Sequence, residues 1–160
     1  MAISKRLLTF LDKNKVKYEV VDHKKVFTVH DLAQTLKLKI QTVAKTLLVK
    51  VDRKYYIVVL PAHFSLDFAK VKKALKAKNV TLAKEGEMKT KFKVKPGAML
   101  PFGSMHKVEV LVDKSLLKTE KALFGAGSFT ESLRLKVKDF VKSQGEEVQT
   151  GDYGKKKTKK

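Results

Sequence analysis

Residues Val43-Ala44-Lys45-Thr46-Leu47-Leu48-Val49-Lys50-Val51 decide the fold. β-Branched and apolar side chains dominate, and no Gly or Pro interrupts them, so the stretch reads as a β-strand. Strand side chains alternate between faces, which puts Val43, Lys45, Leu47, Val49 and Val51 on one side. Four of the five are core residues and the fifth is a lysine. An ammonium is costly to bury without a partner, so Lys45 on that face points to an anionic or polar group that it meets. The alternative is that Lys45 lies near the strand end and snorkels to water. Periodicity alone favours the second reading.

Working outward, Asp52-Arg53-Lys54 is a polar turn, and Tyr55–Leu60 is a second strand that closes a hairpin with the first. Pro61 ends it. Upstream, Ile3, Leu7, Phe10 and Leu11 recur at helical spacing, and Tyr18–Val21 is a short strand. Thr28-Val29-His30-Asp31 has the form of a capping box with Asp in place of Glu, and Leu32, Ala33 and Leu36 continue it as a helix. Downstream, Leu66, Phe68, Val71 and Leu75 fit a helix behind the capping candidates Ser65 and Asp67. Short strands are expected over 80–83, 108–112, 122–124 and 132–135, a helical turn or two over 84–91, and a last helix over 137–142. The sum is a mixed α/β domain over residues 1–143. Beyond Ser143 the apolar residues thin out, and 144–160 reads as a polar, lysine-rich, disordered tail.

Composition sets the class of partner. Apolar residues make up 43% of the 160, enough for a packed core. Lys and Arg number 36 against 16 Asp and Glu, a formal charge of +20. Five of those lysines fall in residues 155–160, and the body keeps a large excess without them. Such a surface attracts polyanions, of which nucleic acid is the commonest, although a lysine-rich proteome gives the same numbers. The absence of cysteine excludes disulfides, thiolate zinc sites and cysteine nucleophiles. Met1–Lys15 does not read as a secretory signal, because Asp12 and several lysines break its apolar run. No stretch approaches the roughly 18 apolar residues of a membrane span, so a cytoplasmic protein is the expectation.

Three further patterns bear on chemistry. Pro96-Gly97-Ala98-Met99-Leu100-Pro101-Phe102-Gly103 can be neither regular helix nor central strand. Its glycines permit close approach to the backbone, as in loops that hold a carbonyl or oxyanion with N–H groups. A tight connection between elements explains the same composition equally well. Gly125-Ala126-Gly127-Ser128 lacks the lysine ending of a P-loop and reads as a strand bend or bulge. His23, His30, His63 and His106 show no metal-binding spacing, and Ser104, His106 and Asp113 lie too close in sequence to build a catalytic triad. No metal or other cofactor is expected.

Taken in order, Val43-Ala44-Lys45-Thr46-Leu47, the Gly97–Gly103 loop and Ala126-Gly127-Ser128 resemble the YbaK/EbsC family, stand-alone relatives of the editing domain of bacterial prolyl-tRNA synthetases. The connection Val58-Val59-Leu60-Pro61-Ala62 followed by Leu66-Asp67 is similar too, and the likeness runs from about residue 3 to about 142. The resemblance implies a compact α/β domain whose mixed sheet is strongly curved, partly barrel-like and flanked by helices. It implies metal-free hydrolysis of the ester of a mischarged tRNA, with water as nucleophile and a proline tRNA carrying a wrong small amino acid as substrate. Lys45 then holds the 3′-terminal adenosine, and Gly97 to Pro101 place backbone groups around the aminoacyl carbonyl. Thr46, Ala98, Met99, Leu100, Phe102, Gly103, Gly127 and Ser128 line the substrate site. The partner is the aminoacylated 3′ end of tRNA, with an aminoacyl-tRNA synthetase as a second candidate and no membrane.

The chain also departs from that family. Phe92-Lys93 replaces a frequent Thr-Gly pair before the loop, and Ala98 replaces a second loop glycine. Thr46 follows the YbaK-like branch. The pocket histidine that an alanine-specific branch carries near the position of Gly127 is absent. These departures leave open a second reading, a non-catalytic module of the same fold that binds tRNA or a nucleotide.

Overall fold

The computed structural model describes residues 3–26, 28–93, 99–145 and 148–156. The hairpin read from the sequence is its centre. Strand β2 (Ala44–Val51) pairs antiparallel with β3 (Lys54–Pro61), with Lys45 opposite Leu60 and Val49 opposite Tyr56. Strand β5 (Val80–Leu82) adds antiparallel to β2, whereas β6 (Glu109–Asp113) and then β9 (Val148–Gly151) add parallel beyond β3. The result is a mixed sheet of five strands in the order β5-β2-β3-β6-β9.

Both faces of this sheet are covered, which explains why Ile57–Pro61 is buried without alternation. Helix α1 (Lys5–Lys13) packs Leu7 and Leu11 into a cluster with Leu48, Ile57, Phe102, Phe124 and Phe140. On the other face, helix α3 (Phe68–Leu75) brings Val71 against Val49, Val58, Leu60 and Leu111. Asp67 caps α3 by accepting from the Lys70 amide at 3.2 Å, while Ser65 lies in the short strand β4 (Phe64–Leu66). Helix α4 (Glu85–Lys91) follows β5.

A second, antiparallel sheet has the order β1-β8-β7, built from β1 (Tyr18–Asp22), β8 (Glu131–Lys136) and β7 (Lys121–Gly125). Helix α2 (Val29–Thr35), capped by Thr28 Oγ1 on the Asp31 amide, seats Leu32 and Ala33 against Leu123 and Val43. The two sheets meet at one isolated parallel bridge, Val43 to Leu123. The curvature expected of a single barrel-like sheet is thus divided between ladders, and among the described residues they do not close.

Within the tail expected over 144–160, residues 148–151 and 154–156 form strands rather than the disordered segment that composition suggested, and 146–147 and 157–160 lie outside the described residues. After helix α5 (Val137–Ser143), β9 joins the large sheet, and β10 (Gly154–Lys156) pairs with β4. The cause is one buried acid. Asp113 Oδ2 accepts from the amides of Tyr153 and Gly154, both at 2.8 Å, and Tyr153 is buried in the α3-side core. Lys70 reaches from α3 to Asp152 at 3.0 Å and to the Gly154 carbonyl at 2.9 Å. No helix among the described residues is long and apolar enough to cross a membrane.

Candidate functional site

The bridge between the sheets positions a cleft of about 250 Å³ at the start of β2. Ala44, Lys45, Thr46 and Leu47 border it on one side, and Val29 and Leu32 of α2 on another. Gly125, Ser128, Phe129 and Ser132 come from the end of β7, the turn after it and β8; Met88 and Met99 complete the apolar wall. Three segments far apart in sequence therefore converge: the Lys45 strand, the end of the Gly/Pro loop, and the turn at Ser128.

Lys45 is half-buried, and its charge is felt by His63 just beyond β3. Burial first, then the charges of Lys156 and Lys45, hold the His63 pKa below the ordinary histidine value. His63 Nδ1 is buried with no hydrogen-bond partner. The Ser128 hydroxyl accepts from the Thr130 and Glu131 amides, both at 3.1 Å, which fixes the turn that follows Gly127 at φ +77°. That φ favours glycine.

The remaining loop residues divide. Gly97 and Ala98 lie outside the described residues. Met99 faces the cleft and is buried. The Leu100 amide donates to His106 Nε2 at 3.2 Å, and the Pro101 carbonyl accepts from Gln144 Nε2 at 3.3 Å. Phe102 is fully buried between Phe10 and Phe140, at ring separations of 5.7 and 5.4 Å. Gly103 donates its amide to Gln144 Oε1 at 2.9 Å. A side chain there would place Cβ 2.3 Å from the Val108 carbonyl oxygen. Phe102 and Gly103 thus anchor the loop to the core, and Lys45, Thr46, Met99 and Ser128 are the expected residues that border the cleft.

Two polar residues of the cleft wall were missed in the sequence. His23 Nδ1 lies 2.9 Å from the Lys24 carbonyl, and its Nε2 lies 2.9 Å from Ser132 Oγ. A carbonyl can only accept, so Nδ1 carries the proton and, in the neutral ring, Nε2 accepts from the Ser132 hydroxyl. His23 had no motif to mark it. Ser132 had a faint one, a small hydroxyl residue among the apolar positions of a strand. Among the described residues no group of three His, Asp or Glu could hold a metal ion.

The departure at Phe92-Lys93 has a backbone counterpart. Lys93 stands at φ +54°, a conformation that favours glycine and costs other residues about 1 kcal/mol or more.

The model of the aminoacyl-tRNA editing domain matches residues 23–143, most of the chain and all four of these cleft-bordering residues. This chain belongs to that family. The editing domain here is 24% identical over 123 residues to the prolyl-tRNA editing protein ProX of Acetoanaerobium sticklandii, covering 73% of this chain and 75% of that one. It is 27% identical over 115 residues to a proline–tRNA ligase of Bacillus velezensis, covering 72% of this chain. It spans only about a fifth of that ligase's length. A crystal structure described as that of a candidate trans-editing enzyme for prolyl tRNA synthetase shares the fold, with a TM-score of 0.81 at 18% identity over 96% of this chain and 99% of that one. A crystal structure of a hypothetical protein does so with a TM-score of 0.85 at 22% identity, over 94% and 100%.

Proposed function

We propose that this editing domain hydrolyses the aminoacyl ester of mischarged tRNA in the cytoplasm, acting in trans on a proline tRNA that carries a wrong small amino acid. The observation that carries the proposal is the convergence of Lys45, Thr46, Met99 and Ser128 on one cleft. Lys45 supplies a positive charge at the cleft, suited to the 3′-terminal nucleotide of the tRNA. The apolar wall of Val29, Leu32, Met88 and Met99 limits the amino-acid side chain by size.

In the reaction, the oxygen of a water attacks the ester carbonyl and the bond to the ribose oxygen breaks. The ribose oxygen takes up a proton, giving free amino acid and intact tRNA. Backbone amides of the Gly97–Pro101 segment would stabilise the oxyanion. Leu100 gives its amide to His106 and Pro101 has no N–H, so neither supplies that contact in this arrangement. Lys45 acts by positioning and charge, and no metal takes part in the scheme.

Incubation of the protein with a panel of mischarged tRNAs tests the reading. Accelerated release of a small amino acid from at least one proline tRNA is the expected result. Tight binding of aminoacyl-tRNA with an unchanged ester lifetime would instead support the non-catalytic module.

A further inference from the structure

The three-stranded sheet carries a cluster of cations at the end opposite the cleft. The register pairs Lys121 of β7 with Lys136 of β8. The pairing of Tyr18 with Leu135, continued by one residue, sets Lys17 on the far side of Lys136. Three exposed lysines thus form one row across three strands, about 10 Å wide at the usual strand spacing of about 4.8 Å. Arg134 stands two residues along β8 on the same face. A shallow cleft of about 210 Å³ opens among these four, and the acid that borders it, Glu19, is paired with Arg134 at 3.0 Å. Like charges facing each other across strands destabilise a sheet. The arrangement is relieved when an anion with repeated charges lies over it.

We propose that Lys17, Lys121 and Lys136, beside the Arg134–Glu19 pair, bind the phosphate backbone of the tRNA whose 3′ end enters the Lys45 cleft. This rests on the reading of that cleft as the deacylation site. The same strands connect the two places: Lys121 and Lys136 stand at one end of β7 and β8, and Gly125 and Ser132, at the border of the cleft, at the other. Four residue steps separate them, about 13 Å at about 3.3 Å per residue. RNA fits this surface better than a protein does. A protein partner requires an apolar centre to its interface, but Leu135 is buried, and Val20, the exposed apolar residue of β1, points to the opposite face.

The test compares wild type with the triple variant Lys17→Gln/Lys121→Gln/Lys136→Gln, using Lys72→Gln/Lys73→Gln/Lys76→Gln, on α3 and at its C-terminal cap, as a charge-matched control. Binding of uncharged tRNA is measured against salt concentration. Deacylation is measured on full-length mischarged tRNA and on an aminoacylated adenosine fragment. In the row variant, affinity for tRNA is expected to fall tenfold or more, and the slope of log affinity against log salt to flatten by about two to three. KM for full tRNA rises, while kcat/KM on the fragment stays within twofold. Unchanged affinity and slope would overturn the proposal, as would an equal loss in the control or a parallel loss on the fragment. Loss of binding to a synthetase with tRNA binding intact would overturn it in favour of a protein partner. If wild type deacylates neither substrate, the reading of the cleft fails, and the salt-dependent binding still decides the row.

Discussion

Truncating Asp113 probes the contact that holds the C-terminal strands in place. Its carboxylate is 1% exposed and accepts four hydrogen bonds: the Tyr153 and Gly154 amides at 2.8 Å, and the Ser115 amide and hydroxyl at 2.9 and 2.5 Å. In Asp113→Ala the Ser115 hydroxyl can turn elsewhere, but the amides of Tyr153 and Gly154 lose their partner in a buried setting. Each such group costs about 1–3 kcal/mol, so the expected loss is about 4 kcal/mol, a large part of the usual 5–15 kcal/mol. Asp113→Asn keeps a neutral oxygen toward the two amides, and its NH2 can donate to the Ser115 hydroxyl but leaves the Ser115 amide without its acceptor. Its loss should be about 1–2 kcal/mol. Urea unfolding followed by circular dichroism measures both. Limited proteolysis should cut the alanine variant first after residue 143, as β9 and β10 come away. A loss below 1 kcal/mol for alanine, or equal losses in the two variants, would refute the reasoning.

Other outcomes follow from the same geometry. Gly103→Ala should destabilise by about 2 kcal/mol or more in urea unfolding, because the added Cβ meets the Val108 carbonyl at 2.3 Å and backbone cannot give way cheaply; a neutral result would mean that the loop is not held as described. The His106 pKa is pushed down to about 4 by burial and then by the nearby Arg6 charge, below the ordinary value of 6.5. The unfolded chain therefore takes up this proton first, and stability present above pH 6.5 is lost as pH falls toward 4. The loss from this group between pH 7 and 5 is at most about 2 kcal/mol, reduced by solvent screening. Because Nε2 accepts from the Leu100 amide, protonation also ejects that donor, and thermal unfolding of His106→Gln should show a flatter profile across this range.

The hairpin was legible because Val, Ile and Leu ran unbroken through both strands, and the caps at Thr28 and Asp67 were legible because capping is local. The C-terminal strands were not. Their order depends on Asp113, which lies about forty residues upstream in sequence and reads locally only as the stop of a strand. In the site, Lys45 could be singled out because a charge broke an apolar pattern. Phe102 and Gly103 shared a Gly/Pro composition with residues that face the cleft, and only tertiary packing shows that they point into the core and toward Gln144. His23 had no local signal and Ser132 only a faint one, for a related reason. Their pairing joins the end of β1 to β8, more than a hundred residues away.

The central claim is that the cleft at Lys45 is where the ester of mischarged tRNA is hydrolysed, with Lys45 holding the tRNA end rather than exchanging protons. Single-turnover deacylation of the preferred mischarged tRNA by wild type, Lys45→Ala and Lys45→Arg tests it most directly. Loss of one charge-assisted contact, about 1.5–3 kcal/mol, predicts a fall of about tenfold or more for alanine and partial recovery for arginine. Equal rates for wild type and a folded alanine variant would contradict the account.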